Sequence, residues 1–563
     1  MRAIDELELS YAQIDLPKIE RATSLFERLE RNKLLLIIVI AAIGFCARVY
    51  RLDAAGLAED ETNKIFAIRA YEQGDFTANA EHPMLMKTLC YASLHLASAW
   101  NETVGAKLGL ALTEETALRF PNATFGALTV IPLFLLTSSL LGFRVGCITA
   151  VLWSLGLDAI WFNRVAKEDT LLVFFMLCGF YLYHHAKQLP AFDNGGQQRL
   201  YALAGAAFGF MMASKYFPHY FGLNALFYTI VGYDSRNNRP LTRAMWARYF
   251  AALLFAFAVF NPALSFPQTW RYLWKYVNEE LLTHHGYLVM GKLFVNDFMQ
   301  TPGGNPWYFY FLFLVVKLPL PILIAFIIGF VEIFRRRGKY PDSRGYLFLR
   351  LMLVFWLLPQ TFVGVKFLRY TLSLLPLLYM AASIGIVISW RVVSSFIEKI
   401  VTTRRVARMT AAFVVAAAFI VAPSIETIGS ILHSYPSLFV NVIGRNHIGY
   451  FFPHDEFYDL GARESVRFIA DTAAPGSMMA SEVPGVVEYY LEHFNRADIR
   501  SEIISQPSFS LSEGKRPSFV LIQPGRVYFE NVDDLNLIER AFPLVQASVH
   551  EGATTAAVYA TGH

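Results

Sequence analysis

Charge is scarce in this chain. Asp, Glu, Lys and Arg make up 17% of its 563 residues, against about 25% in an average soluble protein. The shortfall is concentrated: Phe120 to Phe143, Tyr249 to Trp270 and Tyr370 to Trp390 contain no charged residue. With 55% hydrophobic residues and a mean hydropathy of +0.38, the chain has more apolar surface than a soluble core of this length uses. A wholly soluble protein is excluded, and the excess has to face lipid. Cysteine is equally sparse. Cys46, Cys90, Cys147 and Cys178 all fall in apolar segments, which reads as small buried side chains rather than disulfides or metal ligands. A cleavable signal peptide is not expected, because polar and charged residues precede the first apolar run and no small-residue cleavage site follows it. Internal repeats and low-complexity tracts are also missing.

A helix needs about 20 residues to cross the hydrocarbon layer, and fewer where flanking Lys or Arg snorkel. Charge-free length predicts spans near 34–50, 120–143, 145–163, 170–187, 200–215, 216–233, 249–268, 306–332, 350–365, 370–390 and 408–425. A weaker pair, Leu89 to Trp100 and Val104 to Leu112, adds a hairpin or lies at the interface. The expected fold class is a polytopic α-helical membrane protein of 11–13 transmembrane helices with a C-terminal soluble mixed α/β domain.

Short-loop Lys and Arg mark the cytoplasmic side: Arg335, Arg336, Arg337, Lys339 and Arg344; Arg236, Arg239, Arg243 and Arg248; and Lys399, Arg404, Arg405 and Arg408. Counting spans from these places 51–87, 164–169, 265–305, 366–369 and the chain after 425 on the opposite, outer face. The net charge of +4 is unevenly divided, since 433–563 holds 9 Lys/Arg against 16 Asp/Glu and leaves +11 for the rest. The expected domains are a cytoplasmic amphipathic segment (1–33), a membrane catalytic domain (34–432) with outer loops 51–87 and 265–305, and a non-cytoplasmic α/β domain (433–563). Within the last, alternation predicts helices near 456–470 and 486–494 and strands near 478–481, 519–523 and 547–559.

The most informative stretch is the first outer loop, where Glu59-Asp60-Glu61 is followed by Gly74-Asp75-Phe76 and by His82-Pro83 through Lys87. Acids at an apolar boundary are functional candidates, although ordinary solvated carboxylates fit the same composition. Arg119 opens Arg119-Phe120-Pro121-Asn122. Asn163-Arg164-Val165-Ala166-Lys167-Glu168-Asp169 sets Arg164 and Lys167 on the outer face, against the charge trend. That points either to an anionic partner or to local pairing with Glu168 and Asp169. Asn305-Pro306-Trp307-Tyr308 and Lys317-Leu318-Pro319 start one span, and Lys366-Phe367-Leu368-Arg369-Tyr370 starts another. Lys317 reads as a phosphate contact or a snorkelling lysine. His284 and His285, adjacent and so about 100° apart on a helix, suit one hydrogen-bonding role better than a shared ion. Sequons at Asn101 and Asn122 are near chance in number.

In order and spacing these motifs resemble the C-type membrane glycosyltransferase superfamily, closest to its protein O-mannosyltransferase and lipid A aminoarabinose transferase group. The likeness spans the membrane part, and Tyr435-Pro436 through Asn441, Asp459-Leu460-Gly461 and Tyr489-Tyr490 are similar to bacterial members. The resemblance implies a cavity open to the outer face of a bacterial inner membrane. It also implies a polyprenyl- or dolichyl-phosphate sugar donor, and inverting transfer to a hydroxyl on a protein or glycolipid. On that reading Asp60 is the base, Glu61 orients it, and Asp169 is the next acid. Lys87 and Arg369 stabilise the departing phosphate, with Tyr370 and Lys317 beside it and His82, Arg119, Arg164 and His285 as further candidates. Met86 stands where the aminoarabinose enzymes commonly carry Glu, so a metal site like theirs does not transfer. A divalent cation (Mg or Mn) is compatible with the chemistry without being required. Membrane lipid is an expected partner and nucleic acid is not. A transporter or flippase of lipid-linked substrates is the alternative, and it ordinarily shows paired halves and midplane polar residues, which this sequence lacks. A catalytically silent protein on the same scaffold also fits.

Overall fold

The computed structural model describes residues 30–190, 192–231, 240–278, 285–335, 343–433, 435–444 and 447–562. The expected N-terminal segment up to residue 29, His284, and the charges Arg236, Arg239, Arg336, Arg337 and Lys339 lie outside the described residues. The chain is an integral membrane protein built mainly of helices. Glu114–Leu141, Arg344–Phe362, Leu375–Ile397 and Arg404–Leu432 are each long and apolar enough to cross a membrane, and Phe143–Leu155 with Leu157–Asn163 is so only as a pair, bent by 54° at its break. Of the other stretches expected to cross, 170–187 and 200–215 lie in the continuous helices Asp169–Gln188 and Asn194–Ser214, and several of the rest are shorter or interrupted. Lys33–Val49, Met84–Trp100 and Arg243–Val259 are 17-residue helices, and the apolar run expected at 306–332 divides at Leu318-Pro319 into Phe309–Lys317 and Leu320–Arg335. Proline lacks the N–H that would continue the first of these helices.

Glycines let these helices approach closely. A Cβ on Gly329 would lie 1.7 Å from the Ala381 carbonyl, and one on Gly385 would lie 1.9 Å from that of Ala325. Leu320–Arg335 and Leu375–Ile397 therefore pack backbone to backbone, as small residues allow in lipid. The four cysteines are free.

At one end of the bundle, called here the loop face, the first loop, the 164–168 turn, the 264–308 loop and the tail come together. The tail carries a five-stranded sheet from β3 (Met478–Ser481), β4 (Arg500–Ile503), β5 (Phe519–Ile522), β6 (Leu544–His550) and β7 (Ala553–Ala560), in the order β4-β3-β5-β7-β6. β3 is parallel to β4 and β5, whereas β7 is antiparallel to β5 and β6. The run expected as one strand at 547–559 is thus the β6–β7 hairpin, turning at Glu551-Gly552, both in the left-handed region. A small hairpin, β1 (Tyr287–Val289) with β2 (Lys292–Phe294), lies in the 264–308 loop and turns at Met290-Gly291, again both at positive φ, as a two-residue hairpin turn requires.

The helix expected at 456–470 is two helices, Pro453–Phe457 and Ala462–Thr472. Tyr458, Asp459 and Gly461 break it with φ of 43°, 62° and 88°. Glycine tolerates this conformation, but Tyr and Asp occupy it at a cost, so the surrounding contacts must hold the kink. Leu57, Ile65 and Ile68 of the first loop share one core with Val466, Ile469, Val486, Val487 and Tyr490 of the tail. Full burial of each such aliphatic side chain contributes roughly 1.5–3 kcal/mol, which is what docks the tail on the loop face.

Candidate active site

The acidic triplet opens the helix Glu59–Glu72, where carboxylates favour the positive helix end. Glu61, at the third position, accepts the Ala58 N–H at 3.1 Å, half of a capping box. Its two oxygens also receive the Arg119 fork, at 2.9 Å from Nε and 2.6 Å from Nη2, and the Ala166 N–H at 2.9 Å. Arg119 donates its remaining N–H groups to the carbonyls of Leu52, Ala55 and Gly56. Burial would raise the Glu61 carboxyl, but Arg119 and the two backbone donors outweigh it and hold the pKa low. Glu61 therefore ties three segments together and has no lone pair to spare for a substrate.

Asp60 is arranged differently. Its Oδ1 lies 2.6 Å from Lys167 Nζ, while its Oδ2 lies 3.4 Å from Arg369 Nη1 and accepts the Tyr458 hydroxyl at 3.0 Å. The side chain keeps 26% of its surface exposed. Burial again pushes the carboxyl up, and Lys167, Arg369 and Lys64 together hold it well below the usual carboxylate range, so it is ionised at neutral pH. Lys167 is itself buried, which lowers its ammonium to about 8 despite the attraction of Asp60. His82 faces Glu168, Lys167, Lys64 and Asp60. Burial first, and then the two lysines, depress its pKa well below the usual histidine value, leaving the imidazole neutral.

Around this pair stand Lys64, bridged to Glu168 at 2.8 Å, and Asp169, bridged to Lys215 at 2.6 Å. Lys215 also sits 4.3 Å over the Tyr370 ring, and Arg369 stacks 4.0 Å over Phe367. Trp161, Phe162, Val165, Lys167, Asp169, Arg369, Asp455 and Tyr458 line a small cavity. Asp455 accepts the Leu368 N–H at 3.0 Å and the Tyr287 hydroxyl, which fixes the backbone next to Arg369. Asn122, one of the two sequons, is fully buried and donates to the carbonyls of Val165 and Lys167. It shapes the 164–168 turn and is not accessible to modification.

The structure thus brings together Asp60, Arg369, Asp169, Tyr370 and His82. The remaining sequence candidates make other direct contacts. Lys87 is buried and donates to the carbonyls of Asn79 and His82 at 2.5 and 2.8 Å, holding the loop before its helix. Lys317 reaches Ser437 O at 2.9 Å and Glu456 at 3.4 Å, and so joins the membrane part to the tail. Arg164 donates to Arg51 O and Ala47 O. His285 pairs with Glu530 of the tail at 3.2 Å.

Sequence reasoning missed Lys215, Tyr458 and Arg526, and named Asp459 only within a family-like run. Arg526 Nε donates to Asp459 Oδ1 at 2.8 Å and its Nη1 to Glu59 at 2.7 Å, while the Glu59 N–H donates to Asp459 at 2.9 Å. These contacts hold the strained Tyr458-Asp459 kink. Nothing in the sequence around Arg526 signals a partner 467 positions away. Each acid at the site has a Lys or Arg neighbour, and among the described residues no group of three His, Cys, Asp or Glu could hold a metal ion.

Residues 96–266 match the family described as dolichyl-phosphate-mannose-protein mannosyltransferase. No curated protein matches the chain. Among solved structures, the chain is similar to ArnT from Cupriavidus metallidurans in the apo state, with 13% identity, a TM-score of 0.49, and 95% of this chain and 98% of that one covered. It is also similar to the Archaeoglobus fulgidus oligosaccharyltransferase tethered to an acceptor peptide, with 12% identity, a TM-score of 0.48, and 96% and 75% covered. The family match over 96–266 supports a glycosyltransferase, and the resemblance of this chain to the C-type membrane glycosyltransferase superfamily stands on it.

Proposed function

We propose that this protein transfers a sugar, a mannose-like hexose, from a polyprenyl- or dolichyl-phosphate donor to a hydroxyl of a protein or glycolipid, with inversion. The reaction takes place on the extracytoplasmic face, in a bacterial inner membrane. The observation that carries this reading is the partly open Asp60 carboxylate, flanked by Lys167 and Arg369, which both line a cavity. In the proposed division, 34–432 binds the donor and 433–563 completes the site through Tyr458 and Arg526.

The chemistry follows from the charges. A base has to accept the acceptor's proton as the sugar carbon is attacked, and an ionised Asp60 is ready to do so. The leaving phosphate gains negative charge, and Arg369 and Lys167 stabilise it more in the transition state than in the ground state. A donor phosphate that draws these cations toward itself also removes them from Asp60. Its carboxylate then becomes more basic at the moment a base is needed. Lys87, directed at carbonyls, supports the loop in this account and does not bind phosphate.

The test uses the purified full chain in lipid nanodiscs with a polyprenyl-phosphate donor labelled in its mannose. Time-dependent release of polyprenyl phosphate, with the label passing to acceptor or water, is the expected result. Movement of intact donor across a vesicle membrane without cleavage of the sugar–phosphate bond would replace this reading with the flippase.

A further inference from the structure

A second, small cavity lies against the first. Trp161, Val165 and Tyr458 line both, and Arg119, Arg164 and Tyr435 line the second alone. Its two guanidiniums are in different states. Arg119 is saturated, with all its N–H groups directed to Glu61 and three carbonyls. Arg164 is 7% exposed and makes two hydrogen bonds, to Arg51 O at 3.0 Å and Ala47 O at 3.4 Å. A guanidinium has five N–H donors, and Arg164, which lines the cavity, uses two of them in these bonds. No carboxylate among the described residues lies within ion-pair distance of Arg164. Arg119 and Arg51 repel it more strongly than Asp53 attracts it. Burying a cation without a counter-ion is costly, and an anion in the cavity would remove that cost.

We propose that this second cavity is an oxyanion subsite, in which Arg164 holds a phosphate or carboxylate group of the acceptor. The placement relative to the first cavity rests on the transferase reading. Tyr458 forms the wall between the two cavities and its hydroxyl donates to Asp60, as an acceptor hydroxyl would. An acceptor that swings Tyr458 aside presents its own hydroxyl to Asp60 while its anionic group stays on Arg164. The substrate class is therefore a hydroxyl compound carrying an oxyanion about one cavity width away. Because anion binding is measured without turnover, the subsite can fail while the transferase reading survives, and the reverse also holds.

The experiment is equilibrium binding of labelled inorganic phosphate to the full chain in phosphatidylcholine nanodiscs. Wild type is expected to bind phosphate at two sites. Arg164→Gln should weaken one of them at least tenfold, with partial recovery in Arg164→Lys, and Arg369→Gln should spare that site. Because Arg164 also braces Ala47 and Arg51, Ala55→Phe serves as the second variant: it fills the cavity without touching Arg164 and should abolish the same binding. Unchanged binding in Arg164→Gln and Ala55→Phe, or loss of all binding in Arg369→Gln, overturns the proposal. Including phosphatidylglycerol in the discs separates the sources: phosphate left in place supports an acceptor group, whereas displacement assigns the cavity to a lipid headgroup and overturns the acceptor assignment.

Discussion

Asp60 and Glu61 are neighbours on one helical turn, and their surroundings differ in kind. Glu61 has no exposed surface and is closed in by a bidentate arginine and two backbone N–H groups, whereas Asp60 is 26% exposed and is held by the ends of two flexible cationic side chains and one phenol. Both carboxyls are kept ionised against burial. What separates them is whether the partners can be exchanged. Backbone donors and a saturated arginine cannot leave without unfolding the loop, whereas the proposed function has Lys167 and Arg369 exchange Asp60 for a phosphate. An acid in an apolar setting is therefore read as structural or reactive from the freedom of its partners, and ionisation alone does not distinguish the two.

Breaking the closed member should have the largest effect on the fold. Glu61→Gln leaves Arg119 buried without its counter-charge, which costs about 3–5 kcal/mol, so thermal unfolding of the detergent-solubilised protein should show a large drop. The Glu61 carboxyl is held below its ordinary pKa, so this stabilisation is complete above the unfolded carboxylate range and is lost as pH falls through the depressed value. An Asp60→Asn protein should lose clearly less, because Asp60 is 26% exposed and Lys167 keeps Glu168 at 3.7 Å as a second counter-ion. Equal losses in the two variants would erase the contrast.

A smaller effect falls on the pH dependence of turnover. The rate should follow a bell, with an acid limb below the usual carboxylate range, where Asp60 takes a proton, and an alkaline limb near 8, where Lys167 loses one. Lys167→Gln should move the acid limb upward and remove the alkaline one. A profile unchanged by that substitution would separate Lys167 from the reacting carboxylate. The smallest change is expected from Tyr458→Phe, which deletes a single neutral hydrogen bond worth about 1 kcal/mol. The rate should change by roughly fivefold, and the acid limb should rise slightly. A stable Tyr458→Phe protein with no activity would instead place the tyrosine in the chemistry itself.

The sequence made some of this legible. Charge-free runs located the apolar stretches, and Asp60 and Arg369, 309 positions apart, do meet. The loop before Asp169 was singled out for its misplaced positive charge, and Lys167 proved to be the tighter partner of Asp60. Other features left no local mark. Lys87 sits beside Pro83 and His82 in a motif suggestive of anion binding, but two nearby carbonyls capture its ammonium. Tyr458 looked like one more residue of an amphipathic helix, because periodicity reports the preferred conformation and not a kink imposed by Arg526 and Asp459 from elsewhere in the tail. Lys215 closes an apolar run, where a snorkelling lysine and a buried partner of Asp169 read alike.

The central claim is that Asp60 takes the proton of the acceptor. Asp60→Asn preserves size and helix capping while removing the base, so the measurement is label transfer from polyprenyl-phosphate mannose by this variant, alongside donor binding and thermal stability of the same preparation. The account predicts a loss on the order of a hundredfold or more in transfer rate, with donor binding and the fold retained. A near-normal rate in a folded, donor-binding Asp60→Asn protein would contradict it and move the base to another acid, with Asp169 next in line.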